Sequence, residues 1–295
     1  MSTTYNESDR TINKMPDLLQ NLACGTVTPH TPTGITGLDK TLGGGLTPGI
    51  NVLIAGSGMG KSTVALQIAD NIARIGQPVI YISLEMPFDR LVIKSLCRIG
   101  YQQTGLPMSE EQLIAHAKAG TDIYNGIVDK YLNIAQHQCC KMRSDIKCAR
   151  DIVDYVNSFV EATGRTPVVI VDYLQLVETV HYSASEKQKT EATLDALSAL
   201  VNSRSIVVLA LASVGRDDQQ KALGLTSAKE SGRIESDAQL LLALQHASAG
   251  EKTYNYMTEQ SQPLRRLAVH VLKNRYGKAG GKVVLHFNPY TGTFV

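Results

Sequence analysis

Apolar residues along this chain fall into short continuous runs separated by stretches with helical spacing. Residues 51–54, 79–84, 168–171 and 206–211 are almost wholly aliphatic, which predicts strands buried on both faces. Residues 63–74, 88–98, 144–162 and 186–202 carry apolar positions at intervals of three and four and predict helices, the third ending at Gly164. Strands and helices alternate, so the fold class is α/β, with a mostly parallel central sheet flanked by helices on both faces. Sheets of that kind bind ligands at the carboxyl ends of their strands. Near the C-terminus the pattern changes: residues 267–272 and 282–287 surround a basic, glycine-rich stretch, 273–281, and predict a β-hairpin. Residues 1–32 read as a polar tail whose one apolar stretch, 12–22, predicts a docking helix, and 33–295 read as a single domain.

Composition narrows the function classes. The formal net charge of +2 over 295 residues is too small for nucleic acid to be held by the overall field, so any such contact falls to local loops. With no Trp and four Phe, a row of base-stacking aromatics is not expected. Five cysteines, an odd number, without a Cys-x-x-Cys pair or a signal peptide, point to a reducing, cytoplasmic setting. No apolar run reaches the length of a membrane span. His137, Cys139, Cys140 and Cys148 lie close together, but their spacing matches no standard zinc site and small core residues are the simpler reading.

The sharpest chemistry lies between the first strand and the first helix. Ala55-Gly56-Ser57-Gly58-Met59-Gly60-Lys61-Ser62 has the glycines, lysine and hydroxyl of a phosphate-binding loop, with Ala55 where the usual pattern has Gly. Glycines let the backbone curl until several N–H groups face one centre, and the following helix adds the positive end of its dipole. Lys61 then reaches the β- and γ-phosphates and the Ser62 hydroxyl a magnesium ion. Two acidic residues end neighbouring strands. Asp172 is placed to hold magnesium or its water, and Glu85 to polarise an attacking water.

Further blocks, in chain order, carry a resemblance. Gly34-Ile35-Thr36-Gly37-Leu38-Asp39, Ser83-Leu84-Glu85-Met86-Pro87 and Val171-Asp172-Tyr173-Leu174-Gln175-Leu176 resemble the DnaB family of hexameric replicative helicases, in their RecA-like C-terminal ATPase domain. So do Lys229-Glu230-Ser231-Gly232-Arg233-Ile234-Glu235-Ser236-Asp237-Ala238 and Lys273-Asn274-Arg275-Tyr276-Gly277. The resemblance implies a RecA-like P-loop NTPase that binds ATP and magnesium, forms a homo-hexameric ring and acts as an ATP-dependent helicase on single-stranded DNA. It also implies replication or mobile-element proteins as partners. On the same ground Gly56, Ser57, Gly58, Met59, Gly60, Lys61, Ser62 and Thr63 cradle the nucleotide, Ser62 and Asp172 serve the metal, and Glu85 is the catalytic carboxylate. Arg275 would be an arginine finger reaching the γ-phosphate bound by the adjacent subunit, with Lys273 beside it. Lys229, Glu230 and Gly232 match positions that contact the single-strand backbone; by charge alone they would read as a solvated loop.

Two departures from the family are expected to matter. Ser213 stands where the family usually has a Gln that senses the γ-phosphate, so a water or weaker coupling is expected there. The family's N-terminal collar domain has no counterpart in these residues, which favours a phage, plasmid or mobile-element type. Two other readings stay open. Gly43-Gly44-Gly45-Leu46 and Ser213 also suit a RadA- or KaiC-like ATPase that assembles as a scaffold without unwinding, and a helicase-like interaction module is a third.

Overall fold

The computed structural model describes residues 30–179, 185–215, 221–228 and 232–295, together with Met15, Pro16, Leu19, Gln20 and Ala23. Among them, strands β1 (Gly49–Ala55), β2 (Val79–Ser83), β3 (Gln138–Met142), β4 (Val168–Asp172), β5 (Val207–Ser213), β6 (Leu240–His246), β7 (Arg265–Asn274), β8 (Lys282–Asn288) and β9 (Thr293–Phe294) form one sheet. Their spatial order is β3-β2-β4-β5-β1-β6-β7-β8-β9. The first six are parallel and the last three antiparallel, as the switch from aliphatic runs to a hairpin foretells. Strands β3 and β6 extend the parallel part beyond the runs read from sequence.

The aliphatic runs are continuous because both faces are covered. In β1, Leu53 joins one core and Ile50, Val52 and Ile54 the other; in β4, Val168 and Ile170 alternate in the same way with Val169 and Val171. Helices Lys61–Arg74, Phe88–Thr104 and Asp122–Ala135 close the first core through Ile68, Ile72, Ile99 and Ile127. Helices Ala149–Thr163 and Glu186–Arg204 close the second through Ile152, Val156, Leu194 and Leu197. Each such aliphatic side chain, fully buried, contributes roughly 1.5–3 kcal/mol.

Helix Phe88–Thr104 runs on past residue 98, its expected end, because Gly100 lets it pack closely: a Cβ there would lie 2.8 Å from Met108 Cγ. Gly105, at φ +71, ends it. The same helix carries Arg98, fully buried and paired with the equally buried Asp70. Gln138 Nε2 donates to Asp70 at 2.8 Å, and Arg98 reaches the Gly292 carbonyl at 3.2 Å, tying the sheet's edge turn to two helices. Removing one partner strands a buried charge, so Arg98→Ala is expected to lose about 3–5 kcal/mol in urea unfolding. The double replacement Asp70→Asn with Arg98→Met should lose clearly less.

Of the expected docking helix at 12–22, the described Met15, Pro16, Leu19 and Gln20 are helical and exposed; the rest of it lies outside the described residues. No helix among the described residues is long and apolar enough to cross a membrane. Cys139 packs against one core and Cys140 against the other, because neighbours on β3 point to opposite faces. Burial also pushes the Cys140 thiol up to about 12.

Candidate nucleotide-binding site

Strand pairing assembles the site before any side chain acts. Ala55, the last residue of β1, lies level with Ser213 of β5, and Ser83 of β2 lies level with Asp172 of β4. The phosphate loop, Asp172 and Glu85 therefore emerge at the carboxyl ends of the strands. There a cavity of about 550 Å³ is lined by residues including Gly56, Gly58, Gly60, Lys61, Ser62 and Glu85, with Asp172 buried behind Ser62. Ser57, Thr63 and Ser213 line it as well. Met59 sits beneath the loop with its side chain in the core, so only its main chain is available to a phosphate.

Gly58 and Gly60 take φ of +74 and +83, values that favour glycine, and Gly60 directly precedes helix Lys61–Arg74. A Cβ on Gly60 would also meet Phe287 and Phe294 at 3.0 Å. The loop is thus a curled backbone at a helix N-terminus, the arrangement that suits a polyphosphate.

The charged groups converge as the motif predicts. Ser62 Oγ donates to Asp172 Oδ1 at 3.1 Å, and the Tyr81 hydroxyl donates to Asp172 Oδ2 at 2.9 Å. Burial pushes the Asp172 carboxyl above its ordinary value, while these two donors and the Lys61 charge oppose that shift. Burial likewise pushes Lys61 down, with Asp172 and Glu85 working against it. Among the described residues no three His, Cys, Asp or Glu side chains come together as a metal cage. Ser62 and Asp172 instead offer the sparse donor set that suits magnesium, which keeps waters and takes its other oxygens from phosphates.

Ser213 Oγ accepts directly from Lys61 Nζ at 2.7 Å. Gln175 holds the backbone of Ser213 from both sides: its Nε2 donates to the Ser213 carbonyl at 3.0 Å and its Oε1 accepts from the Ser213 N–H at 3.3 Å. The Asp172–Tyr173 peptide is cis, and the Tyr173 ring lies 4.2 Å from Lys61 Nζ.

The structure separates Lys273 and Arg275 from this cavity. Lys273 and Arg275, at the end of β7, donate to main-chain carbonyls of helix Gly232–Asp237: Lys273 to Glu235 and Ser236, Arg275 to Ser236. Neither lines the chain's own cavity. Gly232 begins that helix and is exposed, whereas Lys229 and Glu230 lie outside the described residues. Lys94, Arg265, Phe287 and Pro289 line the cavity without having been singled out from sequence, and Tyr81 and Gln175 support it from behind. Tyr173 and Gln175 stood inside a block already noted; Arg265 had no local signal, since only the β7 register brings it to the loop.

The profile of the DnaB-like helicase C terminal domain family matches residues 31–295. The chain belongs to that family. It is 26% identical over 292 residues to the replicative DNA helicase DnaB of Haemophilus influenzae, covering 96% of this chain and 58% of that protein. A probable plasmid replicative DNA helicase of Chlamydia muridarum is 27% identical over 278 residues, 89% of this chain and 54% of its own length. The chain thus spans about half the length of the curated relatives it matches. Among solved structures, a DnaB-like replicative helicase, described with its interactions with primase, is similar with a TM-score of 0.79 at 21% identity, covering 98% of this chain and 68% of that one. The likeness establishes the RecA-like fold.

Proposed function

We propose that this chain is the motor of an ATP-driven replicative helicase, hydrolysing ATP at the interfaces of a homo-hexameric ring that translocates on single-stranded DNA. The observation that carries the proposal is the convergence of Lys61, Ser62 and Glu85 on one cavity, with Asp172 hydrogen-bonded to Ser62 behind it, in a chain of the DnaB-like family. Loop amides and Lys61 would hold the β- and γ-phosphates. Ser62 and Asp172 would hold magnesium, which when bound supplies charge neutralisation between those phosphates. Glu85, exposed at the rim, would orient and polarise the attacking water. Arg275 stands away from its own cavity, which suits a finger that completes the site of an adjacent copy, with Lys273 supporting it.

Ser213 would sense the nucleotide through Lys61, because phosphates that draw the ammonium away from Ser213 Oγ change what Gln175 holds in place. Lys229, Glu230 and Gly232 would follow the DNA phosphates. The similarity of the chain to a plasmid helicase supports partners drawn from replication or mobile-element machinery, and the cytoplasm is the compartment proposed for it.

Purified protein with ATP and magnesium should unwind a forked duplex; ATPase without unwinding in assembled rings would turn the reading toward a scaffold. Phosphate contacts carry no base sequence, so single-strand affinity should fall with salt and vary little with sequence. Lys229→Ala should lower the salt slope by about 0.7 for each DNA phosphate it no longer neutralises, and weaken DNA stimulation of the ATPase. Unchanged binding and stimulation in that variant would remove this loop from the DNA path.

A further inference from the structure

Between β6 and β7 the chain makes an excursion, residues 247–264, that the helicase reading does not use. It contains the short helix Tyr256–Ser261 and lies against the phosphate loop. Three side chains from this excursion and the first residue of β7 donate to loop carbonyls. Tyr256 donates its hydroxyl to Ser57 O at 2.9 Å, Gln260 its Nε2 to Gly58 O at 2.8 Å, and Arg265 a guanidinium nitrogen to Gly58 O at 3.1 Å. The approach is close enough that a Cβ on Gly58 would lie 2.7 Å from Gln260 Nε2.

The excursion is itself anchored. His246 Nδ1 lies 2.9 Å from the Tyr254 hydroxyl, Ser248 Oγ donates to Glu259 at 2.7 Å, and the Tyr256 ring meets His246 edge-on at 5.6 Å between centroids. His246 is fully buried at the end of β6, so the excursion hangs from the sheet and not from solvent-exposed contacts alone.

In a trans peptide the C=O and the N–H point in opposite directions across one rigid plane. Holding the Ser57 carbonyl therefore turns the Gly58 N–H to the other side of that plane, and the Met59 N–H donates to the Gly56 carbonyl at 3.4 Å. Those amides belong to the loop that cradles phosphates, and a glycine loop left free would lose conformational entropy each time it closed on a ligand. We propose that residues 247–264 form a strap in which Tyr256 and Gln260, with Arg265, are positioning residues that preorganise the phosphate loop for a nucleoside di- or triphosphate. This rests on the nucleotide-binding reading above and adds to it a device outside the family motifs noted in the sequence.

The test uses the full chain with Tyr256→Phe, which keeps the ring on His246 and removes only the hydroxyl, and Gln260→Met, which keeps length and removes the donor. Titrations with ATP, ADP and AMP in magnesium, alongside steady-state turnover, separate positioning from general stability. Each single variant should bind ATP and ADP about fivefold more weakly, and the double variant more than about tenfold, as expected for the removal of hydrogen bonds of ordinary strength. KM for ATP should rise in step while kcat at saturation stays near the parental value. AMP, which lacks a β-phosphate, should bind parent and variants alike. ATP and ADP affinities unchanged in both variants would overturn the strap's role, and so would an equal loss for AMP. Failure of the parent chain itself to bind ATP or ADP would instead sink the nucleotide-binding reading, and the strap with it.

Discussion

Mixed oligomers of Arg275→Ala and Lys61→Ala protomers should hydrolyse ATP although neither variant does so alone. Arg275 lies at the far end of β7 from its own phosphate loop, its guanidinium resting on the Ser236 carbonyl. In the proposed ring, a cation so placed would serve a site on another copy. Its loss should leave ATP affinity largely intact and slow turnover by about 10³-fold or more, the size of effect seen when a finger supplied in trans is missing. Lys61→Ala removes the loop's own cation and should abolish turnover by a different route. In a mixture, an intact loop from one protomer can meet an intact Arg275 from its neighbour, and activity should partly return. No recovery in oligomers verified by native mass measurement to contain both variants would exclude action in trans.

Glu85→Gln should bind ATP with near-parental affinity and turn it over about 10²- to 10⁴-fold more slowly, the range supplied by a general base. The expectation follows from where the carboxylate sits. Asp172 is buried and engaged by Ser62 and Tyr81, whereas Glu85 is exposed on the cavity rim, where water has access. The amide keeps the shape of the carboxylate and loses its charge, so binding and chemistry should separate in equilibrium titration and single-turnover measurements. Hydrolysis near the parental rate would assign the water to another residue.

The contrast between the two acids marks a boundary in what was legible. Both could be recognised as strand-end carboxylates beside a phosphate loop. Their different surroundings could not, since the Tyr81 and Ser62 hydroxyls that engage Asp172 come from residues 91 and 110 positions away in the chain. Ser213 shows the same limit. Nothing local to it announces that β5 pairs with β1 in a register that sets its hydroxyl 2.7 Å from Lys61.

Besides the two-residue β9, two strands were missed, for different reasons. The run Leu240 to His246 is apolar but built of Leu and Ala, residues with good helix propensity and no β-branching; burial between β1 and β7 makes it a strand. Gln138-Cys139-Cys140-Lys141-Met142 has no clear alternation because β3 is a half-buried edge.

What the sequence determined by itself was local chemistry and layer class. Glycines that must take positive φ, a lysine and hydroxyl at a helix start, and aliphatic runs too continuous for a half-exposed strand impose their requirements within a few residues. Only the tertiary structure decided which strands became neighbours and in what register. Those choices depend on packing both cores at once, and they brought Ser213 to Lys61, Tyr81 to Asp172, and the excursion after β6 onto the carbonyls of the phosphate loop.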